Sequence, residues 1–180
     1  MQIELMTKSL IKTLLGISDT SYDTNIDLQL PIVSMDVRKY LNQNYQKYRT
    51  ATYSIGENTA VIGGKMLDIG TVLQGTGIPD DTYITSYDYD EDEYTVNNTF
   101  TASDDDRVFP TISINQWNAI ARMVMYKVSK MTVTSATEKD LVSKAIDSLS
   151  WTFADGEINK KYGYPQKLLD ELGARFARVG

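Results

Sequence analysis

The spacing of apolar residues changes rhythm twice along the chain. Between about Thr7 and Leu15, Leu10, Ile11, Leu14 and Leu15 fall on one side of a helix, and Gly16 supplies a natural stop. Asp19, Thr20 and Ser21 then offer an N-cap, and Thr20 with Asp23 resembles a capping box. A second helix is expected from about Ser21 to Asn44. Ile26, Leu30, Val33, Val37, Tyr40, Leu41 and Tyr45 keep the i, i+3/i+4 spacing there. Pro31 lies inside this pattern, removes one donor and crowds the carbonyl four residues earlier. The flanking positions stay in phase, which favours a kink over a break.

From about Ala51 to Ser113 the period shortens. Gly56, Gly63, Gly64, Gly70, Gly75 and Gly77 punctuate runs rich in Val, Ile, Thr and Tyr. Thr71 to Gln74, Thr82 to Tyr87 and Tyr94 to Asn97 alternate as half-buried strands do. The strand and turn spacing predicts a small antiparallel sandwich or barrel.

Helical spacing returns near Asn115. Trp117, Ile120, Ala121, Val124, Val128 and Met131 define one face, and Met123, Met125 and Tyr126 add apolar surface on other sides. A helix apolar on several sides is either central or shared with another subunit. Trp117, Met123, Met125 and Tyr126 are therefore the candidate oligomer-interface residues. A fourth helix is expected from Thr137, an N-cap, to Leu149, with Leu141, Val142, Ala145, Ile146 and Leu149 as its stripe. Ser150 to Ala154 alternates like a strand, and Asp155-Gly156 marks a turn. Pro165 opens a short helix to about Leu172.

The expected fold is α+β: a mainly α-helical bundle of four main helices plus a short C-terminal strand and helix, carrying an inserted small antiparallel β-sandwich or barrel. Residues 1–50 and 114–180 form the helical domain and 51–113 the insertion, which is inexpensive at a surface loop.

Composition narrows the chemistry. The 180 residues include no Cys and no His. Thiol nucleophiles, disulfides, Cys/His zinc sites, Ser–His–Asp triads and His general bases are thereby excluded. There is no Walker A loop and no G-x-G-x-x-G turn. No catalytic residue, cofactor site or metal site is expected. No apolar run approaches the roughly 18 residues that span a bilayer, and the first residues do not read as a signal peptide. No membrane partner is expected, and synthesis in the cytoplasm is.

The net charge of −6 is uneven: Asp80 to Arg107 holds ten acids and one base, a net −9, which leaves +3 on the rest. A simple DNA-binding footprint would be strongly basic. Asp88, Asp90 and Asp92 imitate the start of a calcium loop, but the positions that need Gly and a bidentate Glu hold Glu93 and Thr99. They read as a solvated hairpin end. Asp104 to Asp106 read as a solvated loop, or as acidic surface that would repel DNA phosphates in a channel. The acids lie in turns, not in the cleft a pair about 5–10 Å apart would need for glycosidase chemistry. Arg38, Lys39, Lys47 and Arg49 make the end of the second helix basic, through helix-dipole pairing, solvation, or contact with DNA or an acidic neighbour. Tyr83, Tyr87, Tyr89 and Tyr94 serve as cross-strand packing, or as stacking surfaces for a glycan.

Several segments resemble one family when taken in order. They are Leu14-Leu15-Gly16-Ile17, Ser18 to Asp23, the long helix with Pro31 and Met35 to Asn42, the strand from Leu149 to Ala154, Tyr164-Pro165, and the end from Arg175 to Val179. Together they are similar to head–tail connector (adaptor, head-completion) proteins of tailed bacteriophages. The resemblance covers roughly 1–50 and 114–180; the β insertion departs from minimal members. It implies a non-enzymatic virion protein in a ring, commonly a dodecamer, beneath the portal protein. Double-stranded DNA would pass through without sequence-specific contact, and a neck or tail protein would bind the far side. In that setting Phe176 and Val179 would anchor in a neighbour while Arg175 and Arg178 pair with its acids; the plain alternative is a frayed end. The competing function is a β module that recognises a glycan or protein, carried on a helical oligomerisation domain.

Overall fold

A computed structural model describes residues 4–43, 45, 47–102, 107–131, 145–146, 149–150, 159 and 161–173. The elements run α1 (Lys8–Leu15), α2 (Asp23–Leu41), β1 (Arg49–Tyr53), β2 (Thr59–Ile62), β3 (Thr71–Gln74), β4 (Thr82–Asp88), β5 (Glu93–Val96) and β6 (Arg107–Ser113). A 3₁₀ turn (Ile114–Gln116) leads into α3 (Trp117–Met131), followed by β7 (Ala145–Ile146), β8 (Leu149–Ser150) and α4 (Gln166–Glu171).

The local signals at α1 work as expected. Thr7 is its N-cap and accepts from the Leu10 amide, and Gly16 closes it in the left-handed conformation at φ 65°. The capping box at Thr20 and Asp23 does not form. Tyr22 is the N-cap of α2 without a side-chain bond, while Asp19 accepts from both the amide and the hydroxyl of Ser21. The Asx turn has taken the role the box would have had. α2 runs unbroken through Pro31 and ends at Asn42, again left-handed.

Six strands close into an antiparallel barrel in the order β1-β2-β5-β4-β3-β6. Register shifts between Thr71 and Leu73 and between Ile84 and Ser86 supply the local bends that closure needs. Ala51, Tyr53, Ile62, Leu73, Ile84, Tyr94, Val96, Phe100 and Val108 fill the interior. Gly77 has φ 68° in the turn before β4, and a Cβ there would lie 2.6 Å from that of Ala102, so only glycine fits.

The expectation of a mainly helical bundle with an inserted β module is overturned. The molecule combines four helices, one of them very short, with a closed six-stranded barrel. The helices do not complete a core among themselves. Val72 of β3 and Ile112 of β6 belong to the cluster built by α1, α2, α3 and α4, and Tyr83 and Ile114 pack against it. The outward side of the barrel serves as one wall of the helical core.

The two layers are tied by specific polar contacts as well. The Asp81 carboxylate, in the loop before β4, accepts from the amide (3.2 Å) and hydroxyl (2.5 Å) of Thr7. The Gln74 amide donates to the Glu4 carbonyl at 2.9 Å. Ser113 and Gln116 form a reciprocal capping box, so β6 passes almost directly into α3. The Gln116 side chain also donates to the Leu172 carbonyl, which fixes the end of α4.

The predicted helix from Thr137 to Leu149 is also corrected where it can be compared. Ala145-Ile146 and Leu149-Ser150 pair as a two-stranded antiparallel sheet. β-branched Ile146 beside a short connection suits a hairpin as well as a helical stripe, and periodicity cannot separate the two over so few residues. Residues 132–144 and 151–158 lie outside the described residues, and with them Trp151 and the Asp155-Gly156 turn. The short helix after Pro165 forms over Gln166–Glu171.

Candidate interaction surface

The four residues expected at an oligomer interface are buried within one chain. Trp117, Met123, Met125 and Tyr126 all belong to the helical core. Trp117 meets Tyr83 edge-to-face with centroids 5.5 Å apart, and Tyr126 lies against Tyr164 at 6.0 Å. The reason is the position of α3. It is covered by α1, α2, α4 and the barrel wall, so its several apolar sides are used up inside the protomer. Arg175, Phe176, Arg178 and Val179 lie outside the described residues, as do Asp104 to Asp106.

Among the described residues, exposed apolar side chains such as Ile55 and Ile69 stand singly in turns of the barrel, while α2 carries an aligned exposed apolar stripe. Its inner face holds Ile26, Leu30, Val33, Val37 and Leu41, all buried. Its outer face carries Leu28, Ile32 and Met35, which are 54%, 47% and 47% exposed. Their spacing of four and three residues puts them on one line along the helix. Exposed Met131, at the end of α3, lies beside Gln29 of α2, whose side-chain amide is 2.8 Å from the Met131 sulfur. These residues were missed in the sequence because they run out of phase with the stronger stripe. A second count at i, i+4, i+7 from Leu28 would have found them.

Beyond the stripe, α2 ends in a basic groove. Asp36, Arg38, Lys39, Lys161 and Tyr162 line one section of it, and Tyr45, Lys47, Tyr48, Arg49 and Pro110 the other; Asn42 and Gln43 are common to both. The Arg107 guanidinium lies 4.5 Å above the Tyr48 ring at the groove's edge. Lys39, Lys47, Arg107 and Lys161 have no carboxylate partner among the described residues. Burial lowers the Arg38 guanidinium and pushes the neighbouring Tyr45 hydroxyl up to about 12. Asp36 accepts from the Tyr164 hydroxyl at 2.9 Å. The cations of α3 are engaged elsewhere: Arg122 pairs with Glu171, Lys127 lies over Tyr164 and Lys130 over Tyr126.

The acidic residues gather at the opposite seam of the barrel. Asp88 accepts from the amides of Asp90 and Glu91, and Tyr87 donates to Asp92, which sits at φ 54°. The D-x-D-x-D string thus shapes a tight turn with its own backbone. No cluster able to hold a metal ion occurs among the described residues. Of the four tyrosines, Tyr94 is buried, Tyr83 and Tyr87 are half-buried against other rings, and Tyr89 alone stands out, so no platform of several rings faces solvent. Among the described residues no helix is long and apolar enough to cross a membrane.

No protein-family model matches the chain, and comparison with curated proteins and with solved structures gives no significant match.

Proposed function

We propose that this chain is one subunit of a ring-shaped head–tail connector of a tailed bacteriophage. The observation that carries the reading is the exposed stripe Leu28, Ile32 and Met35 on α2. Apolar residues scattered singly on a surface need no explanation, but an aligned set beside a well-packed core is the mark of a surface that another protein covers. In a homo-oligomer with cyclic symmetry the coverer is a sister copy. The resemblance of Leu14 to Asp23 and Met35 to Asn42 to connector proteins supplies the setting.

In this reading the protein works mechanically. Copies close into a ring, one face meets the portal protein, the other meets a neck or tail protein, and double-stranded DNA passes through without base-specific contact. The absence of Cys and His from the sequence accords with a non-enzymatic role. The virion neck is the place of action.

Negative-stain electron microscopy of the purified protein, alone and mixed with a portal ring, tests the reading. Closed rings, free or stacked on the portal, are expected. A protein that stays monomeric in both preparations overturns it.

A further inference from the structure

The strand order puts two patches of opposite charge on opposite sides of one small barrel. In the closed order the β4–β5 pair lies directly across from the β1–β6 pair. The β4–β5 turn presents Asp88, Asp90, Glu91 and Asp92, all exposed, around Tyr89, which at 78% is the most exposed large hydrophobic side chain among the described residues. Beside the β1–β6 pair is the section of the groove with Lys47, Arg49 and the rings of Tyr45 and Tyr48; it adjoins, at Asn42 and Gln43, the section with Lys39, Lys161 and the single acid Asp36. The turn is a compact acidic knob bearing one aromatic ring; the groove is basic and aromatic. Because the two lie across the barrel from each other, a knob and a groove that pair must come from different copies. Complementary patches at different places on one surface make a head-to-tail contact, and this is the type of contact that closes rings.

We propose that the acidic β4–β5 tip of one copy docks into the basic groove at the α2–β1 junction of the next. Tyr89 enters the groove and packs on its rings, while the surrounding carboxylates meet Lys39, Lys47 and Lys161. This deepens the ring reading and rests on it. It also gives the barrel a role, as the arm by which each subunit holds its neighbour.

The chain has no cysteine, so introduced thiols report this contact alone. Full-length Glu91→Cys and full-length Gln43→Cys, each of which keeps every groove cation, are mixed under mild oxidation, and the disulfides are identified by mass spectrometry. The mixed 91–43 dimer should dominate over 91–91 and 43–43 dimers. Its yield should fall steeply in 1 M salt, where the screening length shrinks to about 3 Å. In parallel, Lys39→Glu with Lys47→Glu, and Asp90→Lys with Glu91→Lys, should each reduce assembly, and mixing the two reversed proteins should restore it in part.

Wild-type rings without an excess of the 91–43 disulfide would overturn the contact and leave the ring standing. An abundant 91–43 disulfide in chains that never close, alone or on the portal, would uphold the contact and remove the ring. A salt-sensitive shift of short duplex DNA that Lys39→Glu with Lys47→Glu abolishes, with no 91–43 disulfide, would assign the groove to nucleic acid and overturn the proposal.

Discussion

α2 and α3 are both apolar on more than one side, yet they end in different surroundings. α3 has Trp117, Ala119, Ile120, Ala121, Met123, Val124, Met125, Tyr126 and Val128 all buried. α2 buries its inner face and leaves Leu28, Ile32 and Met35 in contact with solvent. The difference comes from what each helix leans on. α3 follows β6 after a single 3₁₀ turn and is therefore held between the barrel wall and the other helices, whereas α2 leaves one face to solvent. A broad apolar surface in sequence marks a helix that needs many neighbours, and topology decides whether they come from the same chain.

Substitution on α3 gives the largest test of this contrast. Ile120→Ala, at a fully buried position, should cost about 2–5 kcal/mol in denaturant unfolding. A cost below about 1 kcal/mol would mean that α3 is not central.

The joint between layers comes next. Thr7→Ala removes both the α1 cap and the hydroxyl bonded to Asp81, and should cost about 1–2 kcal/mol. The same melts check it. A loss no greater than that of an exposed Thr13→Ala control would mean the barrel and the helices are not coupled there.

Alkaline titration probes the contacts at the end of α2. Burial raises the hydroxyls of Tyr45, to about 12, and of Tyr164, where Asp36 adds to the effect. Both groups are held neutral in the folded state and ionise near 10 once unfolded. Their contribution to stability is therefore complete below about pH 10 and is lost as the pH rises toward and beyond 12. Denaturant melts across that window, with tyrosinate absorbance, should show these two rings ionising only as the fold opens. Tyr45→Phe should flatten part of the decline.

The smallest expected effect on stability is on the outer face of α2. Ile32→Gln with Met35→Gln should leave monomer unfolding within about 0.5 kcal/mol of the parent while reducing self-association in sedimentation. A large loss of stability would show that the stripe is packed within the protomer.

Much of the fold was legible because it rests on local chemistry. Thr7 and Gly16 bound α1, Tyr94 to Asn97 alternate as a strand should, and the turn at Gly77 admits no side chain. What could not be read was which surfaces meet. Val72 and Ile112 point out of the barrel, and nothing in their spacing says that helices rather than water wait on that side. Met123 and Met125 looked surplus for the same reason: their partners in the folded chain are distant in sequence. The hairpin at Ala145 to Ser150 was hidden by a short run that fits both periods. The basic end of α2 was visible as charge, but its groove exists only because β1, β6 and the segment at Lys161 converge on it.

Closure of the barrel bears on life at high local density. An open sheet leaves a row of unpaired amides and carbonyls that recruits strands from any similar chain. Here every strand of the barrel has a neighbour on both sides, so no strand is left as a free edge. Many barrels can be packed shoulder to shoulder without templating fibres, and neighbours must recognise one another through side chains, where the match can be selective and reversible.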